Sequence, residues 1–317
     1  MKILVTGGAG FIGSHVTEKL LDKGFVVAII DDFNDFYDPQ EKWENLKSKK
    51  SQITVFEGDI CDPILVNSSF KTFQPDKVIH LAARAGVRPS ILSPLLYSQV
   101  NIDGTVNILR ACIENNVDQM VFASSSSIYG NNKIVPFSED DPVNNPISPY
   151  AATKRAGELM GYTFNHLYSL PVTCLRLFTV YGPRQRPDLA IRSFMEKIES
   201  GKEITIFGDG SMKRDFTYVD DIVSGILSAL DKPVGYEIIN LGNESPVSVS
   251  EMVQSIETVL GKKAVIIKEP EKPGDVQITY ANISKARKLL GYEPQTKFED
   301  GLAEMAEWLK NKSQISN

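Results

Sequence analysis

The sequence predicts an α/β fold: a Rossmann-type doubly wound parallel sheet with a smaller C-terminal α/β domain. Three observations predict it. Continuous apolar runs, the mark of strands buried on both faces, alternate with amphipathic helical segments through residues 1–178. The first run, Lys2–Thr6, leads directly into glycines at positions 7, 10 and 13. The second, residues 25–30, ends in Asp31-Asp32. Strand, glycine loop, helix and strand in that order make a βαβ unit.

Each later element extends the pattern. Ile53–Glu57 reads as a strand, Pro63–Phe73 as a helix and residues 77–81 as a strand. Residues 94–115 are largely helical, 119–123 form a strand, a helix starts at Ser148-Pro149, and Val172–Leu177 closes the sheet. From Thr179 the alternation loosens. Residues 182–187 form a turn-rich basic loop, and 204–207 a short strand entering the Gly208-Asp209-Gly210 turn. Helices follow at 219–230, 250–260, 283–290 and 298–310. This places a dinucleotide-binding domain at residues 1–178, with returning segments around 218–248. A mainly substrate-binding, partly interleaved domain covers 179–317.

The glycine loop carries a specific chemistry. Glycines let the backbone approach a pyrophosphate, and the helix N-terminus that follows offers unpaired N–H groups and a favourable dipole. An acid at the end of the second strand accepts hydrogen bonds from a ribose 2′-hydroxyl and repels a 2′-phosphate, so Asp31 favours NAD over NADP. A glycine turn needed only for packing is the competing reading, and the ordered strand, loop, helix, strand and acid weigh against it. Ligands bind at the strand ends of such sheets, which nominates Asp59-Ile60, Ala82-Ala83, residues 124–127 and Phe178-Thr179. Asp59 has a second reading, as the cap of the helix after it.

A second stretch, Ser148-Pro149-Tyr150-Ala151-Ala152-Thr153-Lys154, points to proton chemistry. Ser148 suits an N-cap and Pro149 the first helical position. Tyr150 and Lys154, four residues apart, then share one helix face. Tyr150 falls in the first turn, where the positive helix end favours a phenolate, and Lys154 adds a full charge. Alone, the pair is a pattern that many helices contain by chance.

Composition narrows the partners. The 317 residues are 42% hydrophobic and 23% charged with a net charge of −6, so nothing in the bulk electrostatics draws nucleic acid, and any bound phosphate needs a local site. Cys61, Cys112 and Cys174 are widely spaced and odd in number, and read as free thiols in a reducing compartment. His15, His80 and His166 are scattered and suggest no metal site. The N-terminus has no signal-peptide pattern, and no apolar stretch approaches the roughly 20 residues of a membrane helix. The expectation is a cytoplasmic protein with no membrane partner.

Taken together, these motifs resemble the extended short-chain dehydrogenase/reductase family, in particular its nucleotide-sugar epimerases and dehydratases. The matching pieces are residues 6–13 (TGGAGFIG), 80–83 (HLAA), 123–130 (ASSSSIYG), Tyr150 with Lys154, 176–183 (RLFTVYGP), 207–210 (FGDG), 214–219 (RDFTYV) and 273–275 (PGD). The resemblance implies NAD contacts at Gly7, Gly10, Phe11, Ile12, Gly13, Asp31, Asp32, Asn34, Asp59, Ile60, Leu81, Ala82, Ala83, Asn101, Tyr150 and Lys154. It makes Ser125 the third catalytic member. It also implies that Tyr150 removes the proton of a sugar 4-hydroxyl while hydride passes from C4 to NAD⁺. Working near pH 7 asks for about 4 kcal/mol of phenolate stabilisation at about 1.36 kcal/mol per unit. A helix end gives about 0.3–1 kcal/mol, which leaves most to Lys154 and the nicotinamide charge in a low-dielectric site.

The family also sorts the outcomes of the 4-keto stage. Its 4,6-dehydratases carry Asp-Glu just before the Tyr-Gly segment, and its UDP-xylose-forming decarboxylases carry a Glu in the second place; here those positions are Ser126 and Ser127. Without an acid there, the implied outcome is rotation of the ketone and return of hydride, a 4-epimerisation. Residues 178–188, 34–39 and 80–88 look like those of UDP-glucuronate 4-epimerases, with Arg84 where Gln is usual, and with Thr179 where the UDP-galactose type has Asn. A sugar carboxylate wants hydroxyls and a cation, which Ser126, Ser127, Thr179 and Arg186 supply. Those hydroxyls are expected to pin the carboxylate so that the β-keto acid does not lose CO₂.

For the nucleotide end the resemblance implies Arg214 at the UDP phosphates and Thr205, Ile206 and Phe207 beside the uracil. Lys272 stands where some relatives use Arg near Asp275, and Arg88 is a further phosphate or carboxylate candidate. It implies a homodimer paired through residues 94–115 and 150–168. The alternatives are 4-epimerisation of UDP-glucose or UDP-N-acetylglucosamine, and UDP-glucuronate decarboxylation. A non-enzymatic nucleotide sensor would have no need of Tyr150 and Lys154.

Overall fold

The computed structural model describes residues 1–233, 235–270 and 276–315. Strands β1 (Lys2–Thr6), β2 (Val26–Asp31), β3 (Ile53–Glu57), β4 (Lys77–His80), β5 (Gln119–Ser125) and β6 (Val172–Leu177) come first. They alternate with helices α1 (Phe11–Asp22), α2 (Pro39–Leu46), α3 (Pro63–Phe73), α4 (Val87–Leu92), α5 (Pro94–Ser98), α6 (Gly104–Glu114) and α7 (Pro149–Tyr168). Then follow β7 (Thr179–Tyr181), α8 (Ala190–Glu199), β8 (Glu203–Phe207), β9 (Lys213–Tyr218), α9 (Val219–Asp231) and β10 (Tyr236–Leu241). Last are β11 (Pro246–Ser248), α10 (Val249–Leu260), β12 (Val265–Glu269), β13 (Ile278–Thr279), α11 (Ser284–Leu290) and α12 (Phe298–Ile315).

The apolar runs assemble as one parallel sheet in the order β10-β6-β5-β4-β1-β2-β3. The sheet is not closed by β6, as the sequence suggested. β10 lies outside it, with Ile238 opposite Cys174 and Ile239 opposite Leu175. That pairing joins residues some sixty positions apart, with β10 inside the 218–248 stretch expected to return to the dinucleotide-binding domain. The direction of winding reverses between β1 and β4, so their C-terminal ends open a crevice. A second assembly is built around β9, flanked by β7, β11 and β13, and β8 pairs separately with β12.

Two helical details position the site. α7 begins as the sequence predicts, with Ser148 Oγ accepting from Ala151 N at 3.1 Å and Pro149 in the first turn. Gly157 lets this helix press on the sheet: a Cβ there would stand 2.4 Å from the Phe122 ring. The close approach buries Lys154 and Glu158 against β5 and β6. The stretch 94–115 is largely helical, as expected, with a π-turn, Gln99–Asp103, between α5 and α6. Thr105 Oγ1 donates to the Asn101 carbonyl at 2.7 Å inside it, and the Asn101 side chain is engaged elsewhere.

Leu92 and Leu95 are each 85% exposed; Ile91 and Leu96 on α4 and α5, and Leu159 and Tyr162 on α7, are also exposed. Among the described residues no helix is long and apolar enough to cross a membrane.

Candidate active site

The glycine loop is held tight by backbone contact. Gly7 has φ +70°, and a Cβ there would lie 2.8 Å from Ala82 N; a Cβ on Gly13 would lie 2.0 Å from the Gly7 oxygen. Gly10, the N-cap of α1, has no side chain with which to cap the first turn. The N–H groups of that turn are therefore left for an anion. Gly7, Gly10, Phe11, Ile12 and Gly13 line one side of a single cavity, with Leu81, Ala82 and Ala83 opposite and Asp31, Asp32, Asn34, Asp59 and Ile60 at one end.

The acids at that end also make structural contacts within the chain. Asp31 is buried, and its carboxylate accepts from Ala9 N and Phe33 N, each at 3.0 Å. Lys42 Nζ lies 3.8 Å from Asp31 and 3.9 Å from Asp32. Burial raises the Asp31 pKa against the pull of Lys42 and the two amides. Asp31 therefore fastens the loop while lining the cavity, and its charge is partly answered by Lys42. Asp32 is the more accessible acid, shared by Arg84, Lys42 and Asn34. Asp59 does not cap α3. That role belongs to Asp62, which accepts from Ile64 N and Leu65 N, while Asp59 accepts from Cys61 N and lines the cavity.

At the other end stand Tyr150, Lys154, Ser125, Thr179 and Arg186. Ser125 begins a tight turn after β5: its Oγ accepts from Ser127 N at 3.2 Å and from Ser127 Oγ at 3.0 Å. Burial pushes the Tyr150 phenol up, and the Ser125 hydrogen bond and the Arg186 guanidinium pull it down. The Ser127 hydroxyl thus feeds the Ser125 hydroxyl, which stands beside the Tyr150 phenol. The Tyr150 ring meets Tyr97 edge to face at 6.3 Å, and Tyr97 Oη donates to the Ala85 carbonyl.

The stabilising charge is shared more widely than the Tyr150–Lys154 spacing implied. Lys154 Nζ donates to the Ala123 carbonyl at 2.7 Å, and burial holds its pKa down to about 8 against the opposing pull of Glu158. Glu158, the next residue along this helix face, is fully buried and accepts from Arg176 Nε, Arg176 Nη2, Ser124 Oγ and Arg155 Nη1. Arg176 Nη1 donates on to Tyr129 Oη at 2.9 Å. One buried carboxylate thus ties α7 to β5 and β6 directly beside Ala123 and Ser125.

Several nominated residues lie elsewhere. Asn101 is buried behind the cavity wall, its amide spent on Arg84 N, Arg84 O and Thr153 Oγ1. Ser126 and Ser127 form the turn that follows Ser125, and the Ser127 hydroxyl, nominated for a carboxylate, donates to Ser125. Thr205, Ile206 and Phe207 lie on β8, with the Arg88 guanidinium 5.5 Å from the Phe207 ring centre. Arg214, on β9, donates to the carbonyls of Lys213 and Val276. Lys272 and Asp275 lie outside the described residues.

Sequence reasoning missed Lys42, Tyr97 and Glu158. Only Glu158 left a signal, since it continues the 150, 154, 158 spacing of one helix face.

The tight glycine cradle, the open first turn of α1, the paired acids and the hydroxyl-rich far end fit an extended dinucleotide lying across the β1/β4 crevice. Comparison with known proteins agrees. A family model described as GDP-mannose 4,6 dehydratase matches residues 4–305. The UDP-glucuronate 4-epimerase of Thermodesulfobacterium geofontis is 45% identical over 315 residues, covering 98% of this chain and 97% of that protein. The crystal structure of UDP-glucuronic acid 4-epimerase from Bacillus cereus, in complex with UDP-glucuronic acid and NAD, superposes with a TM-score of 0.91 at 37% identity, covering 98% and 100% of the two chains. UDP-glucose 4-epimerase from Thermotoga maritima superposes with a TM-score of 0.92 at 34% identity, covering 99% and 100%. The chain belongs to the extended short-chain dehydrogenase/reductase family, among its nucleotide-sugar epimerases and dehydratases.

Proposed function

We propose that this protein catalyses NAD-dependent 4-epimerisation of a UDP-sugar, converting UDP-glucuronate to UDP-galacturonate. The observation that carries the reading is the convergence of Ser125, Tyr150, Lys154, Thr179 and Arg186 on the cavity whose other end is the glycine loop. Ser126 and Ser127 then follow where an eliminating enzyme would need acids. The relatives named for UDP-glucuronate match in sequence more strongly than the UDP-glucose enzyme of equal structural likeness.

Bound NAD would accept the C4 hydride and return it, so that no cofactor is consumed. Tyr150, as phenolate, takes the 4-hydroxyl proton while the C4 ketone forms, and gives it back after the ketone has turned its other face. Ser125, which accepts from Ser127, shares the substrate proton with Tyr150 and orients the hydroxyl. Lys154 keeps a positive charge behind the pair. In this reading Arg186 and Thr179 meet a C6 carboxylate, and Arg88, Phe207 and Arg214 the nucleotide. The exposed leucines of α4 and α5 and the outer face of α7 support assembly as a homodimer.

The test is incubation with UDP-glucuronate, followed through the anomeric proton signals. UDP-galacturonate formed without added NAD is the expected result. UDP-xylose or a pentose ketose would mean decarboxylation, and turnover of only UDP-glucose or UDP-N-acetylglucosamine would remove the uronate assignment.

A further inference from the structure

Arg186 and Asp188 lie in the bend between β7 and α8, two residues apart. Arg186 Nε donates to Asp188 Oδ1 at 2.9 Å and Nη2 donates to Oδ2 at 2.8 Å. The two residues stand differently to the site. Arg186 lines the cavity beside Tyr150, and its side chain is 17% exposed; Asp188 is not part of that lining, and its side chain is 40% exposed.

A guanidinium offers five N–H groups in a rigid plane. A carboxylate on the Nε/Nη2 edge uses two of them and leaves the Nη1/Nη2 edge, which is itself spaced for a second carboxylate. Among the described residues no hydrogen bond is made by Nη1. The plane is held on one face as well, with the Phe36 ring centre 5.2 Å from the guanidinium carbon. The bend is braced too: Gln185 donates from N to Gly182 O and from Nε2 to Val180 O, and Leu189 N donates to Arg186 O.

We propose that Asp188 is a positioning residue for acidic-sugar recognition, fixing one edge of Arg186 from the rim so that the other edge meets the C6 carboxylate of a uronate. The inference rests on the uronate reading given above. It makes selectivity for the charged sugar depend on a residue that touches neither substrate nor cofactor. Its sign is also distinctive. If Asp188 acted only through its charge, removing it would strengthen attraction to a uronate. If it acts by orientation, removing it weakens uronate binding and leaves an uncharged sugar alone.

Asp188→Ala, Asp188→Asn and Asp188→Glu separate these cases, with UDP-glucuronate as substrate and UDP-glucose as a competitive inhibitor. Orientation predicts a KM for UDP-glucuronate raised about tenfold in Asp188→Ala, kcat within about twofold, and an unchanged inhibition constant for UDP-glucose. Asp188→Asn, with one acceptor oxygen, falls between, and Asp188→Glu recovers part of the loss. An unchanged or lowered KM for UDP-glucuronate overturns the proposal, as does an equal loss for both ligands. If wild-type protein fails to turn over UDP-glucuronate, the uronate reading falls and this inference with it. Failure of the variants alone, on a wild type that does turn it over, removes only the role of Asp188.

Discussion

The Lys154 ammonium donates to the Ala123 carbonyl at 2.7 Å, one residue short of Ser124 and two short of Ser125 on the same strand. Its pKa is held down to about 8 by burial, so it titrates within reach of ordinary assays. The protonated form supplies the positive charge and is lost as pH rises through that value. We expect kcat/KM to fall above about pH 8, and Lys154→Met to lower activity by roughly 10²–10⁴-fold while abolishing that limb. A pH–rate profile of the two proteins checks this. A limb that persisted in Lys154→Met would belong to another group.

Tyr150→Phe keeps the ring that meets Tyr97 and removes only the oxygen that moves the proton. Turnover is expected to drop by about 10³-fold with the melting temperature and retained NAD unchanged. Residual activity above a tenth of wild type would put the proton transfer elsewhere.

Glu158 accepts four hydrogen bonds in a fully buried site, two from Arg176 and one each from Ser124 and Arg155. Glu158→Gln leaves the Arg176 charge buried without its partner, at a cost of about 3–5 kcal/mol in stability. Glu158 also raises the Lys154 pKa, so the variant's alkaline limb should move to lower pH. Chemical denaturation reads the first effect and a pH–rate profile the second. A lowered stability with an unmoved limb would confine Glu158 to a packing role.

A 4-keto-uronate loses CO₂ once the breaking bond stands perpendicular to the carbonyl plane. Thr179 lines the cavity close to the reacting groups, and its hydroxyl is a means of holding the carboxylate near that plane. Thr179→Ala should release UDP-4-keto-pentose as a measurable side product by NMR. If it releases no more than wild type, the carboxylate is restrained by other groups.

Leu95 is 85% exposed and Leu159 51%, so a charge at either costs the monomer fold little. The double variant Leu95→Glu/Leu159→Glu should halve the mass seen by light scattering if α5 and α7 form the homodimer contact. An unchanged mass would place the contact on another face, or show that the protein has no such assembly.

Some of this was legible from residue order alone. The βαβ start was written in the Lys2–Thr6 run, the three spaced glycines and the acids at 31 and 32, because buried parallel strands and helix-end anion sites need those residue types in that order. Ser148-Pro149 located the start of α7, and helical periodicity aligned Tyr150 with Lys154, since both are local matters of capping and 3.6-residue spacing. Serines at 126 and 127, where eliminating enzymes of this family carry acids, argue against elimination from residue identity alone.

Tertiary structure decided what sequence-distant groups do to one another. That Asp31 fastens Ala9 and Phe33 beside Lys42, that Ser127 feeds Ser125, that Asn101 is spent inside a π-turn, and that β10 extends the sheet beyond β6 all depend on packing between distant segments. The chain specifies the chemical groups and their local geometry; burial and long-range contact set their charge, their free edges and their partners. Arg186 is the clearest case: its identity comes from the sequence, and the edge it leaves for a ligand is set only by the fold that brings Asp188 and Phe36 against it.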